Sequence, residues 1–196
     1  MSLPEQLASQ LAADDLRPFL ALYFSHRGPD DLPAIHIKLH GLEQGQAVST
    51  IRLDHIAGLE ADPRRLAGRS FSFPVNPAYG YIDGSVYLQG RHQAVDVTRL
   101  TFGMEKNLQI PLEVTGNIQF EELPLPLEFN FSVPLQLPLD HAAMLALLEA
   151  GMQATSACTP RDMGRLMAYL KQHLPYDEQI ADLAALAKAR LLANHK

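Results

Sequence analysis

Cysteine occurs once in this chain of 196 residues, at Cys158. That excludes an intramolecular disulfide and any metal site built from several thiolates, and it points to a reducing compartment, the cytoplasm. Cations are also in deficit, with 16 Lys and Arg against 22 Asp and Glu for a net charge of -6. A protein whose main task is to coat nucleic acid or an anionic membrane needs the opposite balance, and no DNA partner is expected. No apolar run approaches the roughly 20 residues of a membrane span. The start, MSLPEQLASQLAADD, lacks the basic and apolar segments of a signal peptide. Catalytic signatures are missing as well: there is no Gly-x-Ser-x-Gly serine, no partnered cysteine and no His-Glu-x-x-His pair. The expectation is a protein without enzymatic activity and without a cofactor.

What is present is enough apolar material for a core, 47% of residues against 19% charged. Leu3, Leu7 and Leu11 recur at helical spacing and predict a short helix over 4–13. From Leu16 to Leu139 the period changes to two and the punctuation becomes Gly, Pro and Asn, which predicts antiparallel strands. Ile35, Ile37 and Leu39 alternate with His36, Lys38 and His40, and the turn Glu43 to Gln46 leads into AVSTIRLD as a hairpin. YIDGSVYLQ and AVDVTRLTFG flank a second turn at residues 90–93. Prolines 111, 124, 126, 134 and 138 fall in or beside the last two strands. Proline cannot donate to a central ladder, so at least one of these strands is expected at an edge or broken by bulges. About seven strands without intervening helices predict an antiparallel β sandwich or a curved open barrel, with an edge strand available for homodimer pairing.

At Asp140 the pattern turns helical, giving an α+β chain with a β domain over 1–139 and a three-helix bundle over 140–196. With almost no linker after Leu139, the bundle is expected to pack on the β domain. Residues 1–139 hold 10 basic and 16 acidic side chains, and residues 140–196 hold 6 of each, so the acidity belongs to the β part. Asp140 is placed to cap the first helix. Thr159, Pro160 and Asp162 open the second with a cap, a proline at the first helical position and a carboxylate that can fold back. Asp177 is placed to cap the third, whose apolar stripe is Ile180, Leu183, Ala184, Ala187 and Leu191. In the second helix Met163, Leu166, Met167 and Leu170 form the apolar stripe. Gly164 breaks the pattern at a cost of roughly 0.5–1 kcal/mol relative to alanine, and the preferred reading is a close helix-to-helix contact.

Asp162, Met163, Gly164, Met167 and Leu170 carry a resemblance. The segment 157–193 resembles the helical tail domain of the B subunit of tRNA-dependent amidotransferases and its YqeY-like relatives, while the β part matches nothing in that family. The stretch 173–179 departs from the glycine-and-basic loop that the family has there. The resemblance implies a helical module that contacts RNA or protein; Arg161, Asp162, Gly164 and Arg165 are the candidate contact residues of this segment.

Other residues suggest chemistry of their own. Asp83, His92 and Asp96 straddle the second hairpin and compose a possible hydrolytic or ligand-binding cluster. His36 and His40 share one strand face and, with His26 or His55, supply zinc-type ligands, although a solvated polar face is the plainer reading and no metal is expected. Tyr79, Tyr81 and Tyr87 stand at even separations, a ladder suited to base stacking or to cross-strand packing. With a helix start just after it but no histidine beside it in sequence, Cys158 reads as an inert or mildly reactive thiol.

Overall fold

A computed structural model describes residues 12, 15–27, 31–40, 49–74, 82–88, 91–120, 125–174, 176 and 179–194. The expected helix over 4–13, the turn at Glu43 to Gln46, Tyr79, Tyr81 and the Asp177 cap lie outside or largely outside these residues. The chain divides into two compact units, Met1–Leu137 and Pro138–Lys196.

The first unit contains eight strands: β1 (Pro18–Arg27), β2 (Leu32–Leu39), β3 (Ser49–Asp54), β4 (Ser70–Ser72), β5 (Asp83–Leu88), β6 (Arg91–Phe102), β7 (Gln109–Gln119) and β8 (Leu127–Gln136). Seven of them form a closed ring, β6-β5-β3-β2-β1-β8-β7 and back to β6, while the short β4 pairs with β6 beyond the end of β5. The unit is thus a closed barrel, which corrects both the sandwich and the open barrel. Closure depends on the one parallel contact, Ala21 with Leu135 and Leu22 with Gln136. Strand periodicity does not encode such a pairing between the first and last strands.

The alternation read from sequence identifies the inner face correctly, although His36 on the opposite face of β2 is buried too. Ile35, Ile37, Ile51, Leu53, Val86, Val95, Ile110 and Leu112 are buried in one cluster. Tyr23 is buried with them, and its hydroxyl donates to the Glu60 carbonyl. Burial, reinforced by the Glu60 and Asp62 carboxylates, pushes this phenol well above its ordinary range. The barrel interior is therefore packed with side chains.

Two glycines let the sheet close around β6. A Cβ on Gly84 would lie 2.0 Å from the Val95 carbonyl oxygen, and one on Gly116 would lie 2.3 Å from that of Asp96. Strands on both sides thus approach consecutive β6 residues more closely than any side chain permits, next to a bulge between Val97 and Arg99.

The prolines contradict the expected edge. β7 and β8 each have two neighbours, and Pro111 lies directly opposite Pro134. The Pro111 carbonyl accepts from Gly103 N on the β6 side, so its missing N–H also faces that way, just past the end of β6. Pro134, opposite it, faces away from β7 toward β1, one residue before the parallel contact begins. Neither proline removes a bond the ladder needs. Among the described strands only β4, of three residues, has a single neighbour, so an edge-strand homodimer would have little to pair on.

In the second unit are α1 (His141–Thr155), α2 (Met163–His173) and α3 (Ile180–Asn194). As expected, Asp140 caps α1, its Oδ1 accepting from Ala143 N at 2.8 Å. Leu148, Leu166, Leu170, Leu183, Ala187 and Leu191 make the shared core, with Met163 and Met167 half-buried against it. Gln179 locks the chain where it enters this unit, donating from Nε2 to Leu139 O at 2.7 Å and accepting from Leu139 N at 3.0 Å. No helix is long and apolar enough to cross a membrane among the described residues.

The glycine expectation is overturned. Among the described residues nothing beyond its own helical turn lies within 4 Å of a Cβ placed on Gly164, which is exposed. The close helix contact belongs to Gly151 on α1, where a Cβ would meet Leu166 and Leu170 at 3.0 Å and Tyr169 at 3.1 Å. Spacing shows that a bundle of this size wants a small residue, but both glycines sit inside apolar helical patterns and spacing does not choose between them.

Candidate functional site

The carboxylate and histidine cluster does not assemble. His92 and Asp96 both lie on the outer face of β6, four residues and roughly 13 Å apart along the strand. Each has its own partner. His92 packs edge-on against Tyr87, with ring centroids 5.2 Å apart, and Asp96 Oδ2 accepts from Gln119 Nε2 at 3.0 Å. The backbone of Asp83 pairs with Asp54 on β3. The expected turn at 90–93 is shorter than read: Leu88 pairs with Arg91, so His92 is a strand residue and not a turn residue.

The histidines separate too. His36 is buried, contrary to the solvated face expected for it. It hydrogen-bonds Asp54 Oδ1 through Nε2 at 3.0 Å and packs against Phe24. His40 is exposed and lies against Phe19, and His26 faces Asp31 with Nδ1 3.2 Å from Oδ2. Among the described residues no group of three metal-binding side chains forms.

The Asp162 carboxylate organises the entry to α2. Its Oδ2 accepts from Thr159 N at 2.9 Å, from Cys158 N at 3.1 Å and from the Thr159 hydroxyl at 2.9 Å, and its Oδ1 accepts from Arg165 at 2.7 Å. These donors hold its pKa down at about 2, the backbone N–H of Thr159 foremost, then that of Cys158 and the Thr159 hydroxyl. Asp162 is thus a structural residue, and the surface it supports lies one turn further on. Arg161, Gly164, Arg165, Ala168 and Lys171 are exposed and recur at intervals of three or four residues, which makes one stripe along the helical run. No carboxylate occurs from Met163 to Tyr176. Arg165 is held by Asp162, while Arg161 and Lys171 make no ion pair among the described residues. Cys158 is exposed.

On the barrel, two depressions open on the outer face of the last strands. One, about 490 Å³, is lined by Lys106, Asn107, Gln109, Pro111, Ser132 and Pro134. The other, about 470 Å³, is lined by Thr98, Thr115, Asn117, Glu128 and Asn130. Neither contains a residue of the sequence-predicted cluster. Tyr87 is the most exposed tyrosine among the described residues, at 62%. Strand pairing brings Lys38 and Arg52 to its side of the sheet, a juxtaposition that reading β5 alone cannot find. Compared with protein-family models, curated proteins and solved structures, the chain finds no match.

Proposed function

We propose that the chain is a non-enzymatic binding protein whose helical unit contacts RNA through the stripe Arg161, Gly164, Arg165, Ala168 and Lys171. The observation that carries this reading is the bare backbone at Gly164. A glycine inside a helix costs stability, and here no packing contact offsets the cost. Between three cations, Gly164 and the small Ala168 let a polyanionic backbone approach the helix axis, and arginine and lysine are the side chains that position phosphates. The resemblance of 157–193 to an amidotransferase tail favours the same partner. With His92 and Asp96 held apart by their own partners, the hydrolytic reading lacks an acid–base pair.

Titration of total tRNA into the full chain over a salt series tests the proposal. Binding should tighten as salt falls, and Arg161→Gln with Lys171→Gln should lower the slope of log affinity against log salt by about 0.7 for each cation removed. Absence of binding at low salt would discard RNA and leave a protein as the partner of this face.

A further inference from the structure

The outer face of the barrel is banded by charge. Lys38 pairs with Thr50 and Tyr87 pairs with His92, while the register Ile51 with Val86 sets Thr50 level with Tyr87. Lys38, Thr50, Tyr87 and His92 therefore form one row across four strands. Arg52, opposite Ser85 in the next row, is a diagonal neighbour of Tyr87 at roughly 7–8 Å. Neither row contains a carboxylate. The first acidic residues come one row further on, where Asp83 pairs with Asp54, Asp54 is engaged by His36 and Asp96 by Gln119. Lys38 and Arg52 make no ion pair or hydrogen bond among the described residues. A segment with 16 acidic and 10 basic side chains thus keeps, beside an exposed aromatic ring, two cations without an ion pair among the described residues.

We propose that this face binds single-stranded nucleic acid, with one base stacked on Tyr87 and neighbouring phosphates held by Lys38 and Arg52. An aromatic platform flanked by cations is the chemistry that single strands use, and it tolerates any base because every base has a π face. His92 braces the ring edge-on and leaves most of it in solvent. A duplex keeps its bases stacked inside and cannot use Tyr87. An extended peptide would need a free strand edge, and β3 and β5 are paired on both sides. This inference is independent of the α2 stripe.

The test is fluorescence anisotropy with the full chain, using a short labelled RNA as a single strand and the same RNA annealed to its complement, over a salt series. The single strand should bind more tightly than the duplex. Tyr87→Ala should weaken the single strand about 5-fold or more and leave the duplex unchanged, whereas Tyr87→Phe, which keeps the ring, should bind within about 2-fold of the parent. Arg52→Gln should reduce the salt slope by about 0.7. Tyr87 is largely in solvent, so these variants leave the core intact, and an unchanged urea midpoint checks that. Equal affinity of parent and Tyr87→Ala for the single strand, or equal binding of single strand and duplex, overturns the proposal. The double variant at Arg161 and Lys171 separates the two faces. If it alone abolishes binding, the barrel face fails and the α2 stripe stands, and if it changes nothing while Tyr87→Ala does, the reverse holds.

Discussion

Gly164→Ala separates a surface glycine from a packing one, and Gly151→Ala is its control. Gly164 is the fifth residue of a continuous helical run from Pro160, and its φ lies outside the left-handed region, so alanine fits the backbone. Beyond its own helical turn, no atom of the described residues lies within 4 Å of the new methyl, and the change should stabilise the protein by roughly 0.5–1 kcal/mol. For a chain of this length that raises the melting temperature by about 1–4 °C. The same gain in helix propensity is available at Gly151, but there the methyl meets two fully buried leucines at 3.0 Å and Tyr169 at 3.1 Å. Three neighbours would have to give way together inside a filled core, a strain of roughly 1–3 kcal/mol, which leaves a net loss of about 0.5–2 kcal/mol. Urea unfolding followed by the helical circular dichroism signal reads both variants. Opposite signs are expected. A fall in the midpoint of Gly164→Ala, or a rise in that of Gly151→Ala, would refute the assignment of the bundle's close contact to Gly151 and remove the support that Gly164 lends to a binding face.

The barrel seam should be less forgiving. In Gly84→Ala or Gly116→Ala the obstacle is a backbone carbonyl oxygen and not a flexible side chain, so a loss of about 3 kcal/mol or more is expected, read as a lowered urea midpoint or loss of soluble protein. Asp162 has a native pKa of about 2, below its unfolded value near 4, so its ionised form stabilises the fold above about pH 4 and that contribution disappears as pH falls through 2. Asp162→Asn should accordingly lower the unfolding midpoint at pH 7 and converge on the parent near pH 2, and a constant difference across that range would contradict the hydrogen-bonding account.

Much of the architecture was legible because it is local. Alternation at Ile35, Ile37 and Leu39 marks an inner face, and Asp140 announces a helix start with its own side chain. Strand positions agree among the described residues, but RSFSFPV contracts to Ser70–Ser72, and a turn read too long places His92 in a loop. What stayed hidden is non-local. Nothing in Ala21 or Leu135 specifies that they meet in parallel, and without that contact the strands read as an open sheet. The prolines misled for a similar reason. Their cost depends on which way the missing N–H points, and that direction follows from register. The buried His36 was misread because alternation reports a face and not what covers it.

The same distinction explains why the candidate surfaces were only half visible. Arg161, Gly164, Arg165 and Lys171 belong to one helical run, so their common stripe follows from sequence spacing, and only the openness around Gly164 required coordinates. Tyr87 sits on β5, Arg52 on β3 and Lys38 on β2, and in sequence 13 residues separate Lys38 from Arg52 and 34 separate Arg52 from Tyr87. Three strands lying side by side bring them together on the outer face of a barrel whose described interior is packed with buried side chains. There, a ring exposed at 62% loses less by stacking on a base than by standing in water, and the cations beside it have no carboxylate in their own rows to satisfy them.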